Sequence, residues 1–334
     1  MSIDLTKLKS EFGTYIQTLQ KEILKSLIQK TVSQNYMKTV ATKDLEWRSA
    51  QAVISNLVQG FQKAYTPKGN STFTPLTLVQ RRHKFDHEFY PDDVAESWVG
   101  FLIDETKDRK DWPITKYMID ELIVPKILEN RELILIGKGQ YAAPTPGVAQ
   151  NTGRSMDGFC TLLEREAKDI DTKVNFFDGG ETGPLDKENV VEFIEEFVDY
   201  ISEMYQGIAM NVFVSPSWYR AYRRKYRETY GQNMDFKGET DIVLDTNKKL
   251  VALPSMTGKD IVFCTPKENF IRLINANDGA SNINIDSDVR KIILFADWYE
   301  SVGFAMGEAV FAYVPETSGS LSPSASHSSS VSPI

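Results

Sequence analysis

Apolar positions between residues 112 and 138 recur every three or four residues, and this spacing predicts one long helix. The apolar positions form two overlapping faces, so we expect other elements to cover the helix on two sides. Pro125 has no N–H to donate and should bend the helix near Glu121. Gly137 and Gly139 are expected to end it. We therefore expect a structural strut longer than the usual globular helix.

Other segments also have helical spacing. An amphipathic helix is predicted at the N-terminus, where ordinary packing within the chain and an arm lying on a neighbouring subunit both remain open. A second helix is predicted over Lys43–Tyr65, with Val58 and Phe61 among its buried residues, and a short one after Pro91. A further helix begins near Asp186, and its apolar positions are Val190, Phe193, Ile194, Phe197, Val198, Ile201 and Met204.

Alternating polar and apolar positions predict strands in the remaining segments. Residues 72–79 and 80–90 are expected to form a strand pair, the second strand placing charged side chains on one face. Residues 208–214 are almost wholly apolar and fit a buried strand, which Ser215-Pro216 turns directly into a helix. Short strands follow near 242, 250, 260 and 270, and two final strands are expected at 289–296 and 303–314.

Composition and charge narrow the class of protein. The chain has 334 residues and a formal net charge of −8, which argues against a general nucleic-acid binder. No run of about 20 apolar residues is present, and the N-terminus lacks the apolar core of a signal peptide. Cys160 and Cys264 are expected to be buried thiols rather than a disulfide. Residues 317–334 are rich in Ser and Pro and are expected to be disordered.

Candidate chemistry is sparse, and we expect no catalytic residues, no metal site and no cofactor. His83 and His87 have a metal-ligand spacing for a helix, but strand patterning would place them about 13 Å apart. Ser155 lies in a loose variant of a nucleophile-elbow sequence. A Ser–His pair is not expected, because the only histidine after Ser155 is His327 in the tail.

One basic segment, residues 218–230, interleaves arginines with tyrosines at helical spacing. Its tyrosines fall on one stripe, and the residues that flank them are Arg220, Arg223, Arg224 and Arg227. Arginines beside aromatic rings suit phosphate or single-stranded nucleic acid, so these four residues are candidates for contact with nucleic acid or a partner. The alternative is an amphipathic helix whose tyrosines pack on the preceding strand and whose arginines pair with acidic residues of the same chain.

Several passages, taken in order, resemble the major capsid protein of tailed bacteriophages, whose shell fold herpesviruses share. The likeness is closest to phages of Bacteroidetes-type hosts. The passages are residues 60–69 with Phe73-Thr-Pro, Pro91-Asp-Asp-Val, Glu96-Ser-Trp-Val-Gly-Phe, Trp112-Pro-Ile, Ala143-Pro-Thr-Pro-Gly to Met156-Asp-Gly, Ala252-Leu-Pro-Ser-Met, Thr265-Pro-Lys-Glu-Asn and Val302-Gly-Phe to Glu308-Ala-Val. Their order and co-occurrence support the resemblance.

The resemblance implies an α+β fold with a role for each segment. These segments are an N-terminal helical arm (1–65), an extended β-hairpin loop (66–92), a peripheral domain (93–145) with a spine helix at 112–138, an axial domain (146–288), closing strands of the peripheral domain (289–316) and the tail (317–334). The extended loop would contact an adjacent subunit through its charged residues, Arg81, Arg82, Lys84, Asp86 and Glu88.

The resemblance also implies a non-enzymatic structural protein of the virion, made and assembled in the host cytoplasm. Its partners would be copies of itself in hexamers and pentamers, with other capsid, portal or decoration proteins. The resulting icosahedral shell would enclose double-stranded DNA without binding it specifically, and no membrane is implied. Two alternatives remain open: a nucleic-acid-binding protein acting through 218–230, and a hydrolase with an acidic cleft.

Overall fold

Strands and helices make up most of the residues that the computed structural model describes, which are 31–54, 58–68, 71–105, 112, 114–230, 241–243, 246–276, 284–288 and 291–315. The strands are β1 (Lys38–Thr42), β2 (Glu46–Ile54), β3 (Ser71–Val79), β4 (Arg81–Phe89), β5 (Asn175–Phe176), β6 (Asn211–Val214), β7 (Lys249–Ala252), β8 (Val262–Thr265), β9 (Phe270–Asn275), β10 (Asn284–Asp288), β11 (Lys291–Phe304) and β12 (Phe311–Tyr313). The helices are α1 (Pro91–Asp104), α2 (residues 114–138), α3 (Phe159–Glu166), α4 (Val190–Tyr200), α5 (Glu203–Gln206) and α6 (Pro216–Tyr230).

The first sheet is built around the long strand β11. β4 pairs antiparallel along one edge of β11, from Ile292↔Phe89 to Glu300↔Arg81. On the other edge, β10 pairs with the first residues of β11 and β9 with the last, and β1 extends the sheet in parallel with β9. Helix α1 and the first half of α2 cover this sheet through a shared apolar cluster. This half of the fold is therefore a sheet covered by two helices.

The second sheet has the strand order β5-β12-β8-β6-β7 and is covered on both faces. Val212 and Val214 of β6 point into a core shared with α4 and α6. Phe213, between them, points into the opposite core, which contains α3 and the end of α2. Because both faces of β6 are buried, its sequence is a continuous apolar run rather than an alternating one.

Helix α2 joins the two halves, as expected for a strut. Its first half supplies Met118 and Ile119 to the core of the first sheet, and its end supplies Leu135 and Ile136 to that of the second. The irregularity predicted near Glu121 takes the form of a π-helical stretch, Tyr117–Ile123, in which the Val124 N–H reaches back to the Ile119 carbonyl. The predicted long helix is confirmed over residues 114–138.

Three sequence predictions of secondary structure are wrong. Residues 46–54 form a strand, not part of a helix over Lys43–Tyr65, because they pair along their whole length with β3. The hairpin expected within 66–92 does not form: β3 pairs with β2 and β4 pairs with β11. The last two predicted strands, 289–296 and 303–314, have the wrong bounds. β11 runs unbroken from Lys291 to Phe304, and β12 is limited to Phe311–Tyr313.

Sheet membership also departs from the expected segment boundaries. β9, expected in the axial segment 146–288, lies in the first sheet beside β11. β12, expected among the closing strands 289–316, lies in the second sheet beside β8. The chain therefore crosses between the sheets more often than the predicted segments imply. The predicted N-terminal helix of residues 5–28 and the tail from 317 lie outside the described residues.

Candidate assembly surfaces

The ribbon formed by β2 and β3 contacts the first sheet at its root, where its described contacts lie. Nine residue pairs join the strands, from Glu46↔Val79 at the root to Ile54↔Ser71 at the far end. At the root, Ser301 Oγ donates to the Val79 carbonyl at 2.8 Å, and Leu78 packs into the cluster beside β9. In the described part of the chain no third strand pairs with the ribbon. Since an isolated two-stranded ribbon is marginally stable in water, this one is suited to lie against another molecule.

The segment beyond the ribbon, residues 58–68, presents apolar side chains to solvent. Val58 is 89%, Phe61 95% and Tyr65 93% exposed. The segment is held locally: Gln59 Nε2 donates to the Thr66 carbonyl at 2.7 Å and Lys68 Nζ to the Val58 carbonyl at 2.8 Å. Fully burying a side chain of the size of Val or Phe stabilises an interface by about 1.5–3 kcal/mol. We call residues 58–68 the ribbon tip.

Sequence reasoning missed the ribbon tip because it placed Val58 and Phe61 on the buried side of a helix. The signal that was present is the break at residues 66–70, Thr-Pro-Lys-Gly-Asn, which separates two strand-compatible runs. Had 46–54 been taken as a strand, this break would have indicated a connection between paired strands.

The charged residues assigned to the extended loop lie on β4, within the first sheet, and each contacts a side chain of the same chain. Arg82 pairs with Asp297 at 2.8 Å, Lys84 with Asp86, and Glu88 with Lys291 at 2.8 Å. The Arg81 guanidinium lies 3.7 Å from the centre of the Tyr141 ring. These side chains are therefore organised without a neighbour, although Arg82, Lys84 and Glu88 keep more than half of their surface exposed.

His83, also on β4, is buried and contacts the loop before α3. Its Nδ1 lies 3.0 Å from Ser155 Oγ, its Nε2 lies 3.3 Å from the Glu300 carbonyl oxygen, and its ring stacks on Trp298. The expectation that no Ser–His pair forms is thus wrong, because the partner is a histidine earlier in the chain. Burial lowers the pKa of His83, against the raising effect of Glu300. The neutral ring fastens the loop to the sheet.

Glu300 forms the centre of a buried ionic cluster beneath His83. It accepts from Arg131 of α2 and, at 2.6 Å, from Arg272 of β9, and all three side chains are at most 3% exposed. Burial raises the pKa of the Glu300 carboxyl, but the two guanidinium groups outweigh it and hold the pKa well below the usual range. The cluster ties α2, β9 and β11 together where both sheets approach the strut.

The basic segment forms α6, and its tyrosines and arginines lie on different faces of the helix, as the amphipathic pattern predicts. Tyr222 and Tyr226 are buried in a core that includes Val212 and Val214 of the preceding strand, as the amphipathic alternative predicts, and also residues of α4. Arg220, Arg223, Arg224 and Arg227 are all exposed. Among the described residues no carboxylate forms an ion pair with these four arginines, so the predicted acidic partners within the chain are not found; Glu188, the nearby acid, pairs with Lys225 at 2.8 Å.

Histidines and cysteines form no metal centre in the described part of the chain. No group of three or more His, Cys, Asp or Glu side chains in these ranges could hold a metal ion. His83 and His87 are on one strand, and His87 is exposed whereas His83 is buried. Cys160 and Cys264 are buried free thiols, and burial raises the pKa of both. None of the helices described here combines the length and apolar character that crossing a bilayer requires.

The arrangement of two sheets, a joining helix and a ribbon defines a known architectural class, that of phage-capsid shell subunits. A chain of the satellite phage P4 procapsid, a structure that includes the size determination (Sid) protein, is similar over 93% of this chain and 98% of its own, with a TM-score of 0.56 and 10% identity. A chain of the empty GTA particle capsid covers 84% of this chain and 88% of its own, with a TM-score of 0.49 and 9% identity. The holo-SrpI encapsulin complex from Synechococcus elongatus PCC 7942 covers 86% and 88%, with a TM-score of 0.47 and 10% identity.

Sequence comparison adds no relative to these structures. No family model matches the chain, and no curated protein does. The α+β tailed-phage major capsid fold expected from the sequence is confirmed by the structural similarity over most of the chain. The finer resemblance to capsid proteins of Bacteroidetes phages is not supported by the similar structures.

Proposed function

We propose that this chain is a structural subunit, a major capsid protein, that assembles with copies of itself into a closed shell. The fold is that of a procapsid chain that covers nearly the whole length of this one. At 10% identity this likeness concerns the fold alone, so the proposal needs support from surfaces of this chain.

The observation that carries the proposal is the ribbon with its apolar tip. Among the described residues the ribbon pairs with no third strand, and three apolar side chains at its tip are at least 89% exposed. Such a ribbon gains stability by lying on another surface. A second copy of the chain is the partner that a shell supplies at every position. Ring-forming contacts between identical copies would repeat this burial around each axis.

The finer features of the proposal follow the sequence resemblance. Copies would form hexamers and pentamers of an icosahedral phage head that encloses double-stranded DNA, with portal and decoration proteins as further partners and the virion as location. The resemblance assigns the arm to residues 1–65, the extended loop to 66–92 and the axial domain to 146–288. In view of the strand pairing, we place the extended loop on the ribbon and its tip, residues 46–79. Arg81, Arg82, Lys84, Asp86 and Glu88 would then contact an adjacent subunit at the base of that loop.

The first test is electron microscopy of the purified, concentrated protein, with light scattering to follow assembly. We expect shells, tubes or rings. The double variant Phe61→Ser with Tyr65→Ser should raise the concentration needed for assembly at least tenfold, because each subunit then buries two fewer apolar side chains against its neighbour. Its melting temperature should match that of the wild type, because both side chains are already exposed in the subunit.

A matched control is the variant Ile170→Ser with Met204→Ser, which removes two other exposed apolar side chains (99% and 80% exposed) away from the ribbon. Equal impairment of assembly in both double variants would contradict a specific role for the ribbon tip. A wild-type protein that stays monomeric at all concentrations, with or without DNA, would contradict the capsid proposal itself.

A further inference from the structure

The exposed arginines of α6 form a continuous basic stripe, which we call the arginine stripe: Arg220, Arg223, Arg224 and Arg227. The spacing i, i+3, i+4, i+7 places all four within about 100° of the helix circumference at 3.6 residues per turn. The stripe is about 10 Å long at 1.5 Å per residue. It concentrates positive charge on one face of a helix in a chain whose net charge is −8.

The helix holds the stripe in a fixed orientation. On its other side Tyr222 and Tyr226 are 1% and 6% exposed and pack in the core shared with α4. Arg227 Nε donates to the Arg223 carbonyl at 3.1 Å, and the Arg223 guanidinium lies 5.8 Å from the centre of the Tyr219 ring. The four arginines therefore project from one face of a helix that is anchored in the core, so binding needs no ordering of the backbone.

Two acidic side chains close to α6 are engaged elsewhere. Glu188 pairs with Lys225 on the neighbouring flank of α6. Asp241 accepts a hydrogen bond from the Tyr219 hydroxyl. Within the described ranges none of the four arginines forms an ion pair, so no described carboxylate pairs with the stripe.

From this geometry we infer that the arginine stripe binds the phosphate backbone of nucleic acid. Four charges within about 10 Å need a partner of similar linear charge density, and duplex DNA carries one negative charge per about 1.7 Å of helix axis. Each guanidinium presents paired donors that match two oxygens of one phosphate. Contacts to phosphate carry no sequence information, so we expect the binding to be independent of sequence and sensitive to salt. The inference requires only the folded subunit, not the shell.

The test is fluorescence anisotropy of a labelled 20-base-pair duplex titrated with full-length, unassembled protein separated from particles by size-exclusion chromatography. The wild type should bind at low salt, and log K should fall linearly with log salt concentration. Replacing all four arginines by glutamine should weaken binding at least tenfold and reduce the slope by about 0.9 for each phosphate that is no longer neutralised. A thermal melt of each variant establishes that it is folded.

The matched control removes four exposed lysines elsewhere, Lys168, Lys187, Lys249 and Lys267, also by glutamine, so that net charge changes equally. It should bind like the wild type. Equal weakening in both variants, or no wild-type binding at low salt, would overturn the inference. Displacement of the duplex by polyglutamate at equal charge concentration would assign the stripe to an acidic protein surface and overturn it as well.

Discussion

At the scale of single residues, Glu300 shows how this fold accommodates charge in its interior. A buried carboxylate is costly unless it is paired, and here two arginines from different elements supply the pairing. The pairing explains why β11 continues through Glu300, where the sequence alone suggests a gap between two strands. Replacing only one member of such a cluster leaves charges buried without a partner, and this typically costs about 3–5 kcal/mol.

We therefore predict that Glu300→Gln lowers the free energy of unfolding at pH 7 by about 3–5 kcal/mol. The folded pKa of Glu300 lies below its unfolded value of about 4.3, so its stabilisation is present above that pH and is lost as the pH falls below it. The variant should accordingly lose less stability than the wild type on acidification. Urea unfolding monitored at pH 7, 5 and 3 measures both effects.

Glu268→Gln is the control for this prediction. Glu268 lies 3.7 Å from Lys38, and its side chain is 75% exposed, so the change should alter stability by less than about 0.5 kcal/mol. It should also leave the acid dependence unchanged. If Glu300→Gln and the wild type show parallel pH profiles, the ionised state of Glu300 does not contribute as the structure indicates.

At the scale of secondary-structure elements, Gly137 at the end of α2 lets the helix pack directly on the backbone of Ser255. A Cβ at this position would overlap the Ser255 carbonyl oxygen, and both atoms are backbone-held. A Cβ on the facing Gly158 would in turn lie 2.5 Å from the Gly137 carbonyl. Two glycines thus allow α2, the residue 254–256 turn and the loop before α3 to approach closely, which joins the strut to the second sheet.

We predict that Gly137→Ala destabilises the protein by more than about 3 kcal/mol, because overpacking against backbone cannot be relieved by a rotamer change. Gly100→Ala in α1 is the matched control: a Cβ there meets no atom within 4 Å. It should stabilise by up to about 1 kcal/mol through helix propensity. Thermal melts of the two variants measure the contrast, and similar melting temperatures would refute the close approach at Gly137.

Some secondary-structure elements could be predicted from the sequence and others could not. α4 was predictable because its apolar spacing fits only a helix. The start of α6 directly after β6 was predictable because Ser215-Pro216 is a typical helix N-terminus. Residues 46–54 were not, because apolar spacing over 43–65 also fits a helix, and only pairing with β3 selects the strand. The ionic cluster was hidden for a similar reason: Arg131, Arg272 and Glu300 are far apart in sequence, and no local pattern relates them.

At the scale of the whole molecule, the two sheets and the strut, which we call the body, share buried cores, whereas the described contacts of the ribbon with them lie at its root. Glu132 of the strut accepts a 2.6 Å hydrogen bond from Ser33 Oγ, which also lies 2.7 Å from Ser255 Oγ, so even the first described residues are tied into the body. The contacts of the ribbon with the body that involve described side chains are made by Trp47 and Leu78, near the root. Stability and assembly should therefore be separable by shortening the ribbon.

We predict that replacing residues 50–75 by Asn-Gly leaves a folded monomer that does not assemble. Ser49 and Leu76 are paired across the ribbon, so a two-residue turn can connect them without moving the root. The melting temperature should stay within about 5 °C of the wild type, because the cores of both sheets are untouched. Electron microscopy and sedimentation should show only monomers at concentrations where the wild type forms particles. Particles of normal size from this variant would mean that other surfaces drive assembly, whereas failure to fold would show that the ribbon stabilises its own subunit.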